Sequence, residues 1–195
     1  MAFRGLTINT NESESPHFYA ENDAAIYQAI LGDGNLLMQF GENFRIEVLS
    51  YNTIRVHSGL LSVQGHMGVI EIDDSQDLVL ENGTSGVVRN DLLVARFSTT
   101  GNHGIDTFSL VVLKGGANGE LPSYNNQDLN DGGKVRDFPI AKITMNGLSI
   151  STATALQTPA TCMKDMLHAL NERITYGTDQ PSGGKDGDIY IMYEA

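Results

Sequence analysis

Between residues 36 and 157 apolar residues recur at every second position, and this period limits the chain more than any other feature. Phe44, Ile46 and Val48 alternate with Arg45 and Glu47, and Ile54 and Val56 alternate with Arg55 and His57. A period of two is the signature of a strand with one buried and one wet face, so this region predicts antiparallel sheet and excludes a helical bundle. Residues 50–53 turn the chain. Residues 60–63 and 67–72 form the next strand pair around Gln64-Gly65-His66. Residues 73–77 are acidic and predict a loop before a short strand at 78–80. Residues 82–86 turn again.

Residues 91–97 and 107–113 are the most apolar runs and predict central strands buried on both faces. Residues 98–106 join them as a hairpin loop. A Gly-, Asn- and Asp-rich stretch from Gly115 to Gly133 is longer than ordinary connections and reads as a functional or contact loop. Residues 140–145 and 148–156 flank Asn146-Gly147, a pair suited to a type I′ hairpin turn. Strict alternation then sends Leu148, Ile150, Thr152 and Thr154 one way and Ser149, Ser151 and Ala153 the other. This gives roughly nine or ten strands, the pattern of a mainly β fold, an antiparallel β-sandwich or barrel. The 21 glycines agree with many tight turns.

The period changes at both ends. Residues 1–18 show none and predict an arm, disordered alone or docked on a neighbour. Residues 20–31 predict a short N-terminal helix with Ile26, Tyr27, Ile30 and Leu31 sharing a face, ended by Gly32. A turn over 32–35 follows. Thr158-Pro159 offers an N-cap and a first-turn proline. Met163, Met166, Leu167, Leu170 and Ile174 then follow at helical spacing, which predicts a C-terminal helix over 158–176 with Gly177 after it. The tail from 177 has a linker's composition and ends in a terminal β-strand, Ile189-Tyr190-Ile191-Met192-Tyr193. Such a strand needs a sheet edge, which another subunit can supply. The organisation is therefore an arm (1–18), a β-domain with leading helix (19–157), a helix (158–176), and a linker with strand (177–195).

Twelve basic against 24 acidic residues leave a charge of −12, which repels phosphate and disfavours nucleic-acid partners. No apolar run approaches the ~18 residues of a membrane span. Met1-Ala2-Phe3-Arg4-Gly5 carries no secretory h-region, which predicts synthesis in a cytosol. The lone Cys162 forms no internal disulfide and is expected to be a small packing residue. His17, His57, His66, His103 and His168 lack ligand spacing, although His57 and His66 have the chance to meet across strands. They read as isolated surface or loop histidines. The acidic runs at 73–77 and 186–188 do not match a calcium loop. No phosphate loop or nucleophile elbow occurs, so no catalytic residue, metal or cofactor is expected. Arg89-Asn90-Asp91 reads as a structural device: Asn90 and Asp91 bond nearby backbone N–H groups, and Arg89 pairs with Asp91 or Glu81. Tyr124, in the long loop, is the candidate ligand contact.

The stretch Glu81-Asn-Gly-Thr-Ser-Gly-Val-Val-Arg-Asn-Asp-Leu-Leu-Val-Ala-Arg-Phe resembles a motif of tailed-bacteriophage structural proteins. So do Phe108-Ser-Leu-Val-Val-Leu-Lys-Gly, Asp23-Ala-Ala-Ile-Tyr-Gln-Ala-Ile-Leu-Gly and Phe138-Pro-Ile-Ala-Lys-Ile. The likeness covers residues 20–157. The tail Pro181-Ser-Gly-Gly-Lys-Asp-Gly-Asp-Ile-Tyr-Ile resembles C-terminal motifs of phage tail and fibre proteins. The resemblance implies a virion component near the tail tip, baseplate or fibre attachment, in phages and prophages of Gram-positive bacteria, with no catalytic residues.

Together these readings predict a non-enzymatic tail protein that assembles with itself, as a homotrimer, and with other tail or baseplate proteins. Its interface candidates are Met163, Met166, Leu167, Leu170, Ile174, Ile189, Tyr190, Ile191 and Tyr193. The alternatives are a module binding host cell-wall carbohydrate or a receptor through Tyr124, and, less favoured, a wall-degrading hydrolase.

Overall fold

The computed structural model describes residues 4–5 and 19–194. In chain order the strands and helices are β1 (Arg4–Gly5), α1 (Ala20–Leu31), β2 (Asn35–Met38), β3 (Ile46–Val48), β4 (Thr53–Val63), β5 (His66–Val79), β6 (Val88–Thr99) and β7 (Asp106–Leu113). They continue with β8 (Val135–Asn146), β9 (Ser149–Ala155), α2 (Met163–Arg173), β10 (Ile174–Gly177) and β11 (Ile189–Met192). The chain divides into two compact units, Met1–Ala160 and Thr161–Ala195.

The first unit holds two antiparallel sheets. One runs β1-β5-β4-β2, with β3 also on β4, and the other runs β7-β6-β8-β9. Alternate residues of both sheets meet in one core. Ile54, Val56, Leu61, Val63 and Ile70 come from the first sheet, and Leu93, Ala95, Phe97, Phe138, Ile140 and Ile143 from the second. This is the sandwich of the sequence reading, and among the described residues the sheets do not close into a barrel.

Eight strands, not nine or ten, cover residues 35–155. The difference lies in two long strands. β4 runs unbroken from residue 53 to 63, absorbing an irregularity between His57 and Gly59. Phe44 makes Gly59 necessary: a Cβ there would lie 2.6 Å from the Phe44 ring and 2.7 Å from its backbone nitrogen. Phe44 itself is buried but takes a positive φ of 55°, so β3 starts only at Ile46. The acidic run at 73–77 is strand, not loop. Asp77 lies opposite Arg55 on β4 and receives two hydrogen bonds from it, at 2.7 and 2.9 Å. Cross-strand pairing of opposite charges supplies what the local sequence lacks.

The type I′ turn falls at a different hairpin from the one the sequence suggests. Gln64 and Gly65 join β4 to β5 with φ of 44° and 82°, both positive as type I′ requires. In the β8–β9 hairpin Asn146 pairs with Ser149, so the turn residues are Gly147 and Leu148. Only Gly147 has positive φ, at 62°, which is the type II′ pattern. An irregularity beside Met145 leaves Ser151 unpaired, and Ile150 and Ala153 therefore both pack on the core. Strict alternation fails there for that reason.

β6 is central and buried on both faces, as its composition predicts, whereas β7 is an edge strand that alternates from Asp106 to Leu110. α1 forms over the predicted residues but buries only part of the predicted face: Leu31 is partly buried. Its buried residues are Ala20 and Ala24, while Ile26 and Ile30 are exposed and Tyr27 is half-exposed. A Cβ on Gly65 would sit 2.1 Å from the Ala24 carbonyl oxygen, so the helix approaches the β4–β5 turn on its small face. β2 occupies the place expected for a turn at residue 35.

Of the predicted arm, Arg4 and Gly5 pair with Val69 and Gly68 of β5; residues 1–3 and 6–18 lie outside the described residues. The C-terminal helix begins at Met163, not 158. Ala160 instead bridges to Met38, its N–H bonded to the Leu37 carbonyl. The helix ends at Arg173, and Ile174 opens β10. β11 finds its sheet edge within its own chain, pairing in parallel with β10.

Candidate interaction surfaces

Two buried carboxylates hold the long loop of the first unit. Asp91, almost fully buried, takes two hydrogen bonds from Arg89, each 2.8 Å, and a third from the Gly115 N–H at 2.9 Å. Arg89 is buried too and spends its remaining donors on the carbonyls of Glu81 and Asn82. It pairs with Asp91 rather than with the Glu81 carboxylate, which bonds to Lys114. Asn90 turns to the outer face of the sheet, donating to the Gly119 carbonyl and accepting from the Thr144 hydroxyl. At the far end Asp137, wholly buried, accepts two bonds from Arg96 and one from the Asn125 N–H. Every oxygen of these carboxylates thus has a partner, which makes their burial tolerable.

The loop's last third is fixed as closely. Gln64 donates to Asp128 and accepts from the Leu129 N–H, and Gln28 of α1 reaches the Gln64 carbonyl and Asn130. The Gln64 bond holds the Asp128 carboxyl below the usual carboxylate range, helped by the Asn130 N–H. Tyr124 precedes the anchored Asn125 and is 46% exposed. The Asn125 anchor thus fixes the backbone beside Tyr124, while the tyrosine side chain is exposed.

The second unit has a different character. Of the five apolar residues predicted for the helix, Met163, Met166, Leu167 and Leu170 lie on α2 and are exposed, Ile174 falls on β10, and no residue of the helix is buried. Registry in the β10–β11 pair sets Ile174 beside Ile189 and Tyr176 beside Ile191. These four side chains share one face, between 41% and 75% exposed. On the other face Tyr190 lies over Gly177, and its hydroxyl donates to the Asp179 carbonyl at 2.6 Å. Tyr190 thus fastens the 178–188 connection and is partly covered, unlike the other interface candidates. Tyr193, just past β11, is exposed. The chain matches no family model and no curated protein.

The histidines are not isolated. His57 sits between Glu42 and Glu47, at 3.2 and 2.9 Å, with Arg45 bonded to the same Glu42. Arg45 and the nearby imidazole hold the Glu42 carboxyl below the usual range. His66 is buried and stacks on Phe97, His103 stacks on Tyr19, and His168 pairs with Glu172 one helical turn away. His57 faces Ser75 and His66 faces Val63 across their strands, so the two do not meet. His17 lies outside the described residues. Cys162 is exposed at the start of α2, contrary to the packing role expected of it.

A cavity of about 310 Å³ lies at one end of the sandwich, lined by residues that include His66, Phe97, Asp106, Asn130 and Lys134. A smaller one of about 140 Å³ lies beside Arg89, Lys114 and Met145. Among the described residues no helix is long and apolar enough to cross a membrane. Sequence reasoning missed the Asp137 anchor and the His57 cluster. The segment Arg-Asp-Phe-Pro-Ile at 136–140 carried a signal for the first, a carboxylate directly before an apolar run.

Proposed function

We propose that this chain is a non-enzymatic structural protein of a phage tail, a baseplate or fibre-attachment component of the virion made in the host bacterial cytoplasm. Its second unit joins it to further copies of itself, as a homotrimer, and its β-domain meets other tail proteins. The observation that carries the reading is the uncovered apolar surface of residues 161–195. A unit this small cannot bury a core of its own, and an α-helix of 11 residues does not hold without tertiary packing. Nine exposed apolar side chains on α2, β10 and β11 present on the order of 800 Å² or more, the share one partner brings to a standard interface. The resemblance of residues 81–97 and of the tail motif to phage structural proteins gives the assembly its biological setting.

Gold-labelled antibody against this chain tests the setting on purified particles of the phage that encodes it. Labelling at the tail tip supports the proposal, and particles labelled on the capsid or not at all contradict it.

Tyr124 favours a second reading, recognition of host cell-wall glycan. Its support is the tyrosine's exposure on a loop anchored by Asp137. A glycan array decides: retention that falls at least tenfold in Tyr124→Ala supports it, and no retention of the parent chain removes it.

A further inference from the structure

We propose that Asn118 is a site of spontaneous deamidation, converted through a cyclic imide to aspartate and isoaspartate, while the fold protects the other two Asn-Gly pairs. The pairs are Asn82-Gly83, Asn118-Gly119 and Asn146-Gly147. Glycine after asparagine sets no Cβ beside the attacking nitrogen, so all three share the same local chemistry. The glycine backbone nitrogen gives up its proton and bonds to the asparagine Cγ. The Cγ–Nδ2 bond breaks, ammonia leaves with that proton, and a five-membered imide closes. Water then opens either carbonyl of the ring, so the net change is amide plus water to carboxylate plus ammonium. The attack is intramolecular, and its rate depends on whether the fold lets the nitrogen reach Cγ.

At Asn146 the fold forbids it. Asn146 pairs with Val88 on one side and Ser149 on the other, and the Gly147 N–H is held by the Val87 carbonyl at 2.9 Å. At Asn82 the backbone carbonyl accepts from Arg89 and the side-chain oxygen from Asn52. Gly83 lies so close to Gly147 that a Cβ on it would run into the Gly147 carbonyl. Asn118 differs on each count. It is exposed in the long loop, between β7 and β8 and outside both. The Gly119 N–H meets the Gly116 carbonyl only at 3.4 Å, longer than the usual ~2.7–3.2 Å, and so is weakly held. The Asn118 side-chain oxygen accepts from the Glu120 N–H at 3.2 Å, a donor placed to steady the negative charge that grows there as Cγ is attacked. The Glu120 carboxylate accepts from Asn118 Nδ2 at 2.6 Å, so the leaving nitrogen already faces a group that stabilises it as it gains a proton. Isoaspartate would add one main-chain carbon beside Gly119, whose carbonyl accepts from Asn90.

The test uses the full chain, held in warm, mildly alkaline buffer both folded and in denaturant. Tryptic peptides are weighed for the gain of about 1 Da that marks amide turned to acid, and chromatography separates isoaspartate from aspartate. The unfolded chain supplies the rate that local sequence alone allows. We expect folding to slow Asn82 and Asn146 by roughly tenfold or more and to leave Asn118 within roughly threefold of its unfolded rate. Folding that slows Asn118 as much as the other two overturns the inference, as does a folded chain modified first at Asn82 or Asn146. A second measurement uses Asn118→Gln, whose attack needs a larger ring. The 115–134 peptide of that variant should keep its mass while the circular dichroism of the chain is unchanged. A gain of mass that persists there places the reaction at Asn125, Asn126 or Asn130 and overturns the inference as well.

Discussion

At the scale of residues, the fold depends on a few positions where chemistry has no substitute. Asp91 and Arg89 are buried together, so removing one leaves an uncompensated charge. Arg89→Met should destabilise the first unit by about 3–5 kcal/mol in denaturant unfolding. It should also free residue 115, read as faster amide exchange at Gly115, whose N–H bonds Asp91. A loss below 1 kcal/mol would show that water relieves the charge. Gly65 combines a φ of 82° with the backbone of α1 at its α-carbon. Gly65→Ala should cost about 2–4 kcal/mol, part from the left-handed backbone and part from overpacking. Wild-type stability for that variant would mean α1 docks less closely than the Ala24 contact implies.

At the scale of elements, cross-strand partners decide what local sequence does not. The run 73–77 reads as loop because it is acidic, and it is strand because Arg55 answers Asp77. The alternation of 54–56, the connection between β6 and β7, helix 20–31 and the final strand were legible, because period and turn residues act within a few positions; the alternation at 46–48 was not borne out, since Val48 is exposed. The orientation of α1 was not, since the choice of Ala20 and Ala24 over Ile26 and Ile30 is made by the β4–β5 turn about 40 positions away. Asp77, Asp128 and Glu42 are each held below the ordinary carboxylate range, by Arg55, by Gln64 and by Arg45 respectively. The folded chain therefore binds fewer protons than the unfolded one in acid. Their contribution is complete above the unfolded pKa, about 4, and disappears as pH falls through the lower folded values. The denaturation midpoint should be level from pH 8 to about 5.5 and fall below pH 4. A midpoint that rises in acid would contradict these pairings.

At the scale of the whole molecule, a sandwich whose buried side-chain polar atoms, among the described residues, all have partners contrasts with a second unit whose apolar residues face outward. Of the candidate surface, the helical stripe and the terminal strand could be read from spacing alone. The single face shared by Ile174, Tyr176, Ile189 and Ile191 could not, because it depends on a parallel register across an 11-residue connection. Copies that carry −12 each and join through apolar faces should associate more tightly as salt screens their repulsion. Met166→Glu/Leu170→Glu should weaken that association at least tenfold, and an unchanged mass would remove α2 from the contact. Sedimentation equilibrium of the intact chain, at low and at high salt, tests the central claim most directly. The account predicts a discrete oligomer whose dissociation constant falls when salt rises from about 0.05 to 0.5 M. A monomer at every concentration, or an oligomer that salt dissolves, would contradict it.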